Sequence, residues 1–118
     1  MTGSIHHMPA MRADVLRTMG LGPTLHAVAT AYHVTPNDIL GRSRRQSIAR
    51  ARACLCWRLV HEHGLSTVEV MSLVDRDKST VWEAIETHWR RIERGEATVP
   101  EGVTLDSSTL RERAKRNP

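Results

Sequence analysis

The sequence contains no phenylalanine, and its aromatic residues are three tryptophans and one tyrosine. A sheet-rich sandwich builds its core from aromatic and β-branched residues in alternation, and few stretches here keep a two-residue period. The core must come from Leu, Val, Ile, Ala, Met and the tryptophans, a set that favours small, closely packed helices. Cysteine is almost as scarce: Cys54 and Cys56 give no disulfide framework. No apolar run approaches the roughly 20 residues that span a bilayer. The stretch from Met1 to Met11 lacks the apolar centre of a cleavable signal peptide. A cytoplasmic location is expected, with no membrane partner. There is no Gly-x-x-x-x-Gly-Lys-Ser/Thr phosphate loop, and no Ser/His/Asp or paired-carboxylate arrangement stands out. The sequence therefore offers no positive case for an enzyme or for a cofactor.

What is abundant is positive charge. The 118 residues carry a formal net charge of +4, with a sequence pI near 9.8. A fixed excess of this sign steers polyanions, and nucleic acid heads the expected partners. The charge is concentrated. Gly41-Arg-Ser-Arg-Arg-Gln-Ser-Ile-Ala-Arg-Ala-Arg52 holds five arginines and no carboxylate, a composition suited to phosphate oxygens.

The chain is punctuated as a series of helices. A short helix from about Ala10 to Met19 should stop at Gly20, and Pro23 starts an amphipathic helix to about His33 through Leu25, Val28, Ala29 and Tyr32. Thr35-Pro36-Asn37-Asp38 is a second start signal, with Thr35 as N-cap, Pro36 at the first helical position and an acid at the third, for a brief helix through Leu40. Gly41 to Arg45 is then a basic loop. The longest helix should run from about Gln46 to His63, with Ile48, Ala51, Leu55 and Leu59 as its apolar stripe, and end at Gly64. Ser66 and Glu69 have capping-box spacing ahead of a short helix ending near Leu73. After the turn Val74 to Asp77, a last helix should reach Arg94, stopped by Gly95, with Val81, Ile85, Trp89 and Ile92 buried against Leu65, Val70 and Leu73.

Two short helices joined by a few polar residues, the second opening with small polar side chains, make a helix-turn-helix. A helix entering the major groove by its N-terminus needs short side chains there, so that the backbone approaches the base edges. Lys78, Ser79, Thr80 and Glu83 point away from the apolar stripe and face such a groove. Asp77 is the expected N-cap, with a second capacity to accept from a cytosine amino group. The expected fold class is thus all-α: a small helical bundle in which a basic loop and a long helix precede a helix-turn-helix.

The order Tyr32-His-Val-Thr-Pro-Asn-Asp-Ile-Leu40, Gly41-Arg-Ser-Arg-Arg, Ile48-Ala-Arg-Ala-Arg52, Gly64-Leu-Ser66 and Arg76-Asp-Lys-Ser-Thr-Val81 resembles the C-terminal DNA-binding domain of the bacterial replication initiator DnaA. The likeness covers roughly Pro23 to Arg94. Beside an N-terminal extension with a short helix at 1–22, and a stretch at 95–118 whose composition reads as a linker with a short basic helix or a disordered tail, it implies a domain at 23–94. It also implies an all-helical reader of short asymmetric sites on double-stranded DNA, the DnaA boxes. Under the resemblance Asp77, Lys78, Ser79 and Thr80 fall at the major-groove readers, and Arg44 or Arg45 at the minor-groove arginine. Arg42, Arg50 and Arg76, with Glu83 nearby, are candidates for phosphate contact or for fixing the loop. Lys78 stands where the family usually has His, and Asp75 where it commonly has Gly. Both departures bear on which sequence is read. With some 22 residues ahead of the likeness there is no room for an ATPase module. The expected action is therefore occupancy of sites in replication control or transcriptional regulation, as would suit a phage, plasmid or other mobile element.

Other features have plainer readings. Cys54-x-Cys56 and His61-x-His63 contain zinc-ligating residue types, but side chains two apart on a helix diverge by about 200 degrees and do not converge on one ion. Small buried cysteines and solvent-facing histidines are expected instead, and His6-His7 is too short for a metal site. Trp89 belongs to the apolar stripe. Trp82 lies off it, and with a tail helix over Leu105 to Arg116 it supports the alternative of an interaction protein that binds a replication or transcription protein.

Overall fold

Three of the helices begin at caps made by their own side chains. Thr35 Oγ1 accepts from the Asp38 amide at 3.0 Å while the Asp38 carboxylate accepts from the Thr35 amide at 3.2 Å. Ser66 and Glu69 repeat the exchange at 3.1 and 2.9 Å. Asp77 Oδ1 accepts from the Thr80 amide at 2.8 Å. Each bond satisfies an amide that the helix itself leaves without a partner. The computed structural model describes residues 9–100, and among them the order is α1 (Pro9–Thr18), α2 (Gly22–Tyr32), α3 (Pro36–Leu40), α4 (Gln46–His61), α5 (Thr67–Val74) and α6 (Lys78–Glu93), with no strand. The all-α expectation holds, with helix ends within two residues of those expected. Gly64 and Gly95 follow α4 and α6 at φ of +72 and +75, the left-handed conformation that stops a helix without a Cβ clash.

α4 is the centre of the fold, packed by α2, α3, α5 and α6. Its expected stripe of Ile48, Ala51, Leu55 and Leu59 is buried, but so are Cys56, Trp57, Val60 and His61. His61 is therefore not solvent-facing as expected, whereas His63 is exposed. His61 is 6% exposed, with its ring centroid 5.2 Å from that of Trp57. His63 lies at the surface, its Nε2 sharing a hydrogen bond with Thr24 Oγ1 at 2.6 Å. A one-sided stripe assumes one partner surface, and a helix enclosed by four others keeps little outer face. Cys54 is half-buried and Cys56 buried. Among the described residues no three histidine, cysteine or acidic side chains gather as a metal site; His6 and His7 lie outside those residues, as does the expected helix over Leu105 to Arg116.

α6 lies along α4 and buries Val81, Ile85 and Trp89, with Trp82 half-buried against the same core. α5 seats Val70 and Leu73 beside Leu65. α1 shares this core too. Its Ala13 and Leu16 are fully buried, and it packs on α2 and α3 and touches α5. No helix among the described residues is long and apolar enough to cross a membrane.

His88 sits inside, 1% exposed, with its ring 5.5 Å from Trp57 and no hydrogen-bond partner for either ring nitrogen among the described residues. Burial, with a smaller contribution from positive Arg91, lowers its pKa from 6.5 to about 4. The unfolded chain takes up this proton near the ordinary histidine value and the folded chain resists it. Stability should be full above that value and fall as the pH drops towards the folded pKa, by on the order of 3 kcal/mol from this group. Urea unfolding across that range checks the effect. His88→Gln should flatten the fall, and an unchanged profile would place the proton uptake elsewhere.

Candidate nucleic-acid interface

The turn of the helix-turn-helix is set by backbone geometry. α5 ends at Asp75, whose φ of 53 places it in the left-handed region and whose amide donates to the Met71 carbonyl. The chain then extends through Asp77, with φ −75 and ψ 171, and α6 starts. Asp77, Lys78, Ser79 and Thr80 follow one another at the surface, with Glu83 exposed one turn on. The Thr80 amide holds the Asp77 carboxyl below the usual range, so the cap is ionised at neutral pH. It thus places a row of short polar side chains and one lysine at an open helix N-terminus.

The basic loop is held against this turn by arginines rather than by apolar contact. Arg52, 8% exposed on α4, points into the end of α3. Its Nε donates to the Ile39 carbonyl at 2.8 Å, and its Nη2 to those of Gly41 and Ser43, both at 3.2 Å. A longer contact of 3.5 Å reaches the Asp38 carbonyl. These include carbonyls left over at the end of α3, and a cation there also suits the helix dipole. Burial, reinforced by positive Arg76, pushes Arg52 down to about 10, still charged at neutral pH. Arg76 enters from the other side. Its Nη2 donates to the Gly41 carbonyl at 2.8 Å, and its Nη1 to the carbonyls of Val74 and Asp75 at 3.1 and 3.0 Å. One carbonyl oxygen therefore receives hydrogen bonds from both guanidinium groups. A Cβ on Gly41 would lie 3.0 Å from the Asn37 carbonyl oxygen, so a larger residue would displace this junction.

From that anchor the candidate side chains project. Arg44 and Arg45 are exposed, and the Arg45 amide donates to Ser43 Oγ at 3.2 Å. Arg42 is 63% exposed and reaches Asp75 at 2.9 Å. Arg50 is exposed near the start of α4, where it joins Gln46, Ala49, Thr80 and Glu83 in lining a groove of about 430 Å³ between α4 and α6. The fold thus brings Arg50 beside the front of α6, ties Arg42 to the turn, and leaves Arg44 and Arg45 exposed on the loop. Arg76 has both of its terminal nitrogens on backbone carbonyls.

The residue that reading of the sequence missed is Arg52, quoted there only as part of the basic run. A signal existed: Arg52 falls beside Ala51 and Leu55 on the buried side of α4, with no acid three or four residues away. A cation in such a position needs carbonyl partners from elsewhere in the fold.

The family model described as bacterial DnaA protein helix-turn-helix matches residues 24–87. The match spans more than half of the 118 residues, and the chain belongs to that family. Membership makes it a DNA-binding domain. No curated protein and no solved structure matches the chain.

Arg52→Met keeps the volume of the stem and strands the carbonyls it serves. The variant should lose on the order of 3 kcal/mol in urea unfolding, and the amides of 41–45 should exchange with solvent as an untethered loop. Arg52→Lys should recover only part, since an ammonium lacks the planar fork. A loss under about 1 kcal/mol with unchanged loop exchange would contradict the anchoring role.

Proposed function

We propose that this DnaA-family helix-turn-helix chain reads double-stranded DNA in two adjacent grooves. Asp77, Lys78, Ser79 and Thr80 meet base edges in the major groove from the front of α6. Arg44, with Arg45 beside it, enters the neighbouring minor groove. Arg50 and Arg42 contact phosphate, and Arg76 holds the loop. The observation that supports this reading most is the pair of hydrogen bonds that the Gly41 carbonyl accepts from Arg52 and Arg76: it ties the Arg44 loop to the turn ahead of the exposed helix N-terminus. Two readers with a fixed offset suit a short asymmetric site of DnaA-box type.

Chemistry assigns different roles to the two kinds of contact. Phosphate contacts orient the protein on any duplex, whereas base-edge and groove-width contacts discriminate. Lys78 offers a flexible cation where a flat ring would press on a thymine methyl, so the preferred site departs from the consensus box at the base pair it faces. No residue in this arrangement supplies chemistry on the DNA. The proposed outcome is occupancy: the bound domain excludes or recruits other proteins at its site, in control of replication or of transcription.

Neutralising about five phosphates gives a log–log dependence of affinity on salt with slope near −4 to −5. In anisotropy titrations of preferred and scrambled duplexes, Arg44→Ala should weaken the preferred duplex most and relax preference at one edge of the site. Arg50→Ala should weaken both duplexes alike and make the slope shallower by about 0.9. Equal losses on both duplexes for both variants would contradict this division.

A further inference from the structure

Around the junction of loop and turn, guanidinium groups outnumber carboxylates. Arg42 donates to the Asp75 carboxylate at 2.9 Å, and Arg76 lies on the Asp75 and Gly41 carbonyls. From α1, outside the stretch matched by the family, comes Arg12. It is 5% exposed, and its Nε and Nη1 are buried with no hydrogen-bond partner among the described residues. Its guanidinium is within electrostatic reach of Asp75, Arg76 and Arg42. The first turn of α1 borders the loop directly: a Cβ on Gly41 would lie 3.8 Å from Pro9 Cγ. One carboxylate thus serves three cations. It is held there by a backbone conformation of φ 53, which L-residues other than Asn, Asp and Gly seldom adopt.

We propose that Arg12, Arg42 and Arg76 form a phosphate site for the DNA backbone, and that Asp75 occupies it in the free chain as an internal substitute for phosphate. This rests on the duplex-DNA reading above. On binding, a phosphate oxygen takes the Arg42 guanidinium from Asp75, while buried Arg12 and carbonyl-bound Arg76 supply positive potential behind it. The exchange has two consequences. Asp75 holds Arg42 in a defined place before DNA arrives, and it competes with every duplex equally, lowering affinity for random DNA as much as for the preferred site. The exchange also leaves little trace in salt dependence. The phosphate releases a counterion as the freed carboxylate recruits one.

Asp75→Asn tests this, because Asn accepts the left-handed conformation and removes only the charge. Thermal unfolding close to that of the wild type establishes that the variant is folded. In anisotropy titrations of a labelled duplex of scrambled sequence, Asp75→Asn should bind about five- to tenfold tighter, and its salt slope should steepen by about 0.9. The gain should vanish when Arg42→Met is added. Asp14→Asn, which removes the same charge from an exposed pair with Arg17 on α1, should leave affinity unchanged. Unchanged or weaker binding by Asp75→Asn overturns the proposal, as does a gain that survives Arg42→Met or appears in Asp14→Asn. Absence of duplex binding by both wild type and Asp75→Asn would overturn the DNA reading itself, a result distinct from tight binding that is indifferent to residue 75.

Discussion

The structure depends on one backbone oxygen. The Gly41 carbonyl accepts from Arg52, which belongs to the central helix, and from Arg76, which belongs to the turn before α6. Three segments are thereby brought into one register: the end of α3, the basic loop and the helix-turn-helix. The loop has no regular structure of its own, and holding each of its residues in one conformation costs about 1–2 kcal/mol. Two cations already satisfied by carbonyls offset that cost in the free protein. On the proposed reading the exposed arginines meet DNA from a prepared position, and less ordering remains to be done on binding.

Burial of Arg52 has an electrostatic cost. Desolvation works against its charge, and Arg76 and Arg12 add repulsion. The carbonyl set at the end of α3 is the compensation, which explains why a five-residue helix with an elaborate cap is worth building. Thr35 and Asp38 close its front and Arg52 closes its back. A helix too short to be stable alone is thus secured at both ends by side chains. The junction that results carries surplus positive charge beside the front of α6. A polyanion is the partner that relieves it.

Much of this was legible in the residues. The caps at Thr35, Ser66 and Asp77, the stops at Gly64 and Gly95 and the stripe Val81, Ile85 and Trp89 are local signals, decided within one turn of helix. They appear in the fold as expected, except that Ile92, the fourth member of that stripe, is only half-buried. The order of motifs from Tyr32 to Val81 was enough to recognise the family, since short polar side chains after an arginine-rich loop are an uncommon combination. What was not legible depends on enclosure. Whether His61 faces solvent is decided by how many helices surround α4, and that number is not encoded in α4. The same holds for Arg52, whose partners lie 9–14 residues away in sequence, and for Arg76, whose partner Gly41 is 35 away. Arg12 is also distant from its electrostatic neighbours Arg42, Asp75 and Arg76 in sequence, on a helix that the likeness left outside the domain and that the fold packs into the core.

The central claim is that loop and helix form one rigid reader. Selection from a random duplex library at near-physiological salt tests it most directly. The account predicts a single asymmetric motif in which an A·T-rich edge, read by Arg44 in the minor groove, stands at one fixed distance from the base pairs read by α6. A motif whose two parts occur at variable spacing, or no enriched motif at all, would contradict it.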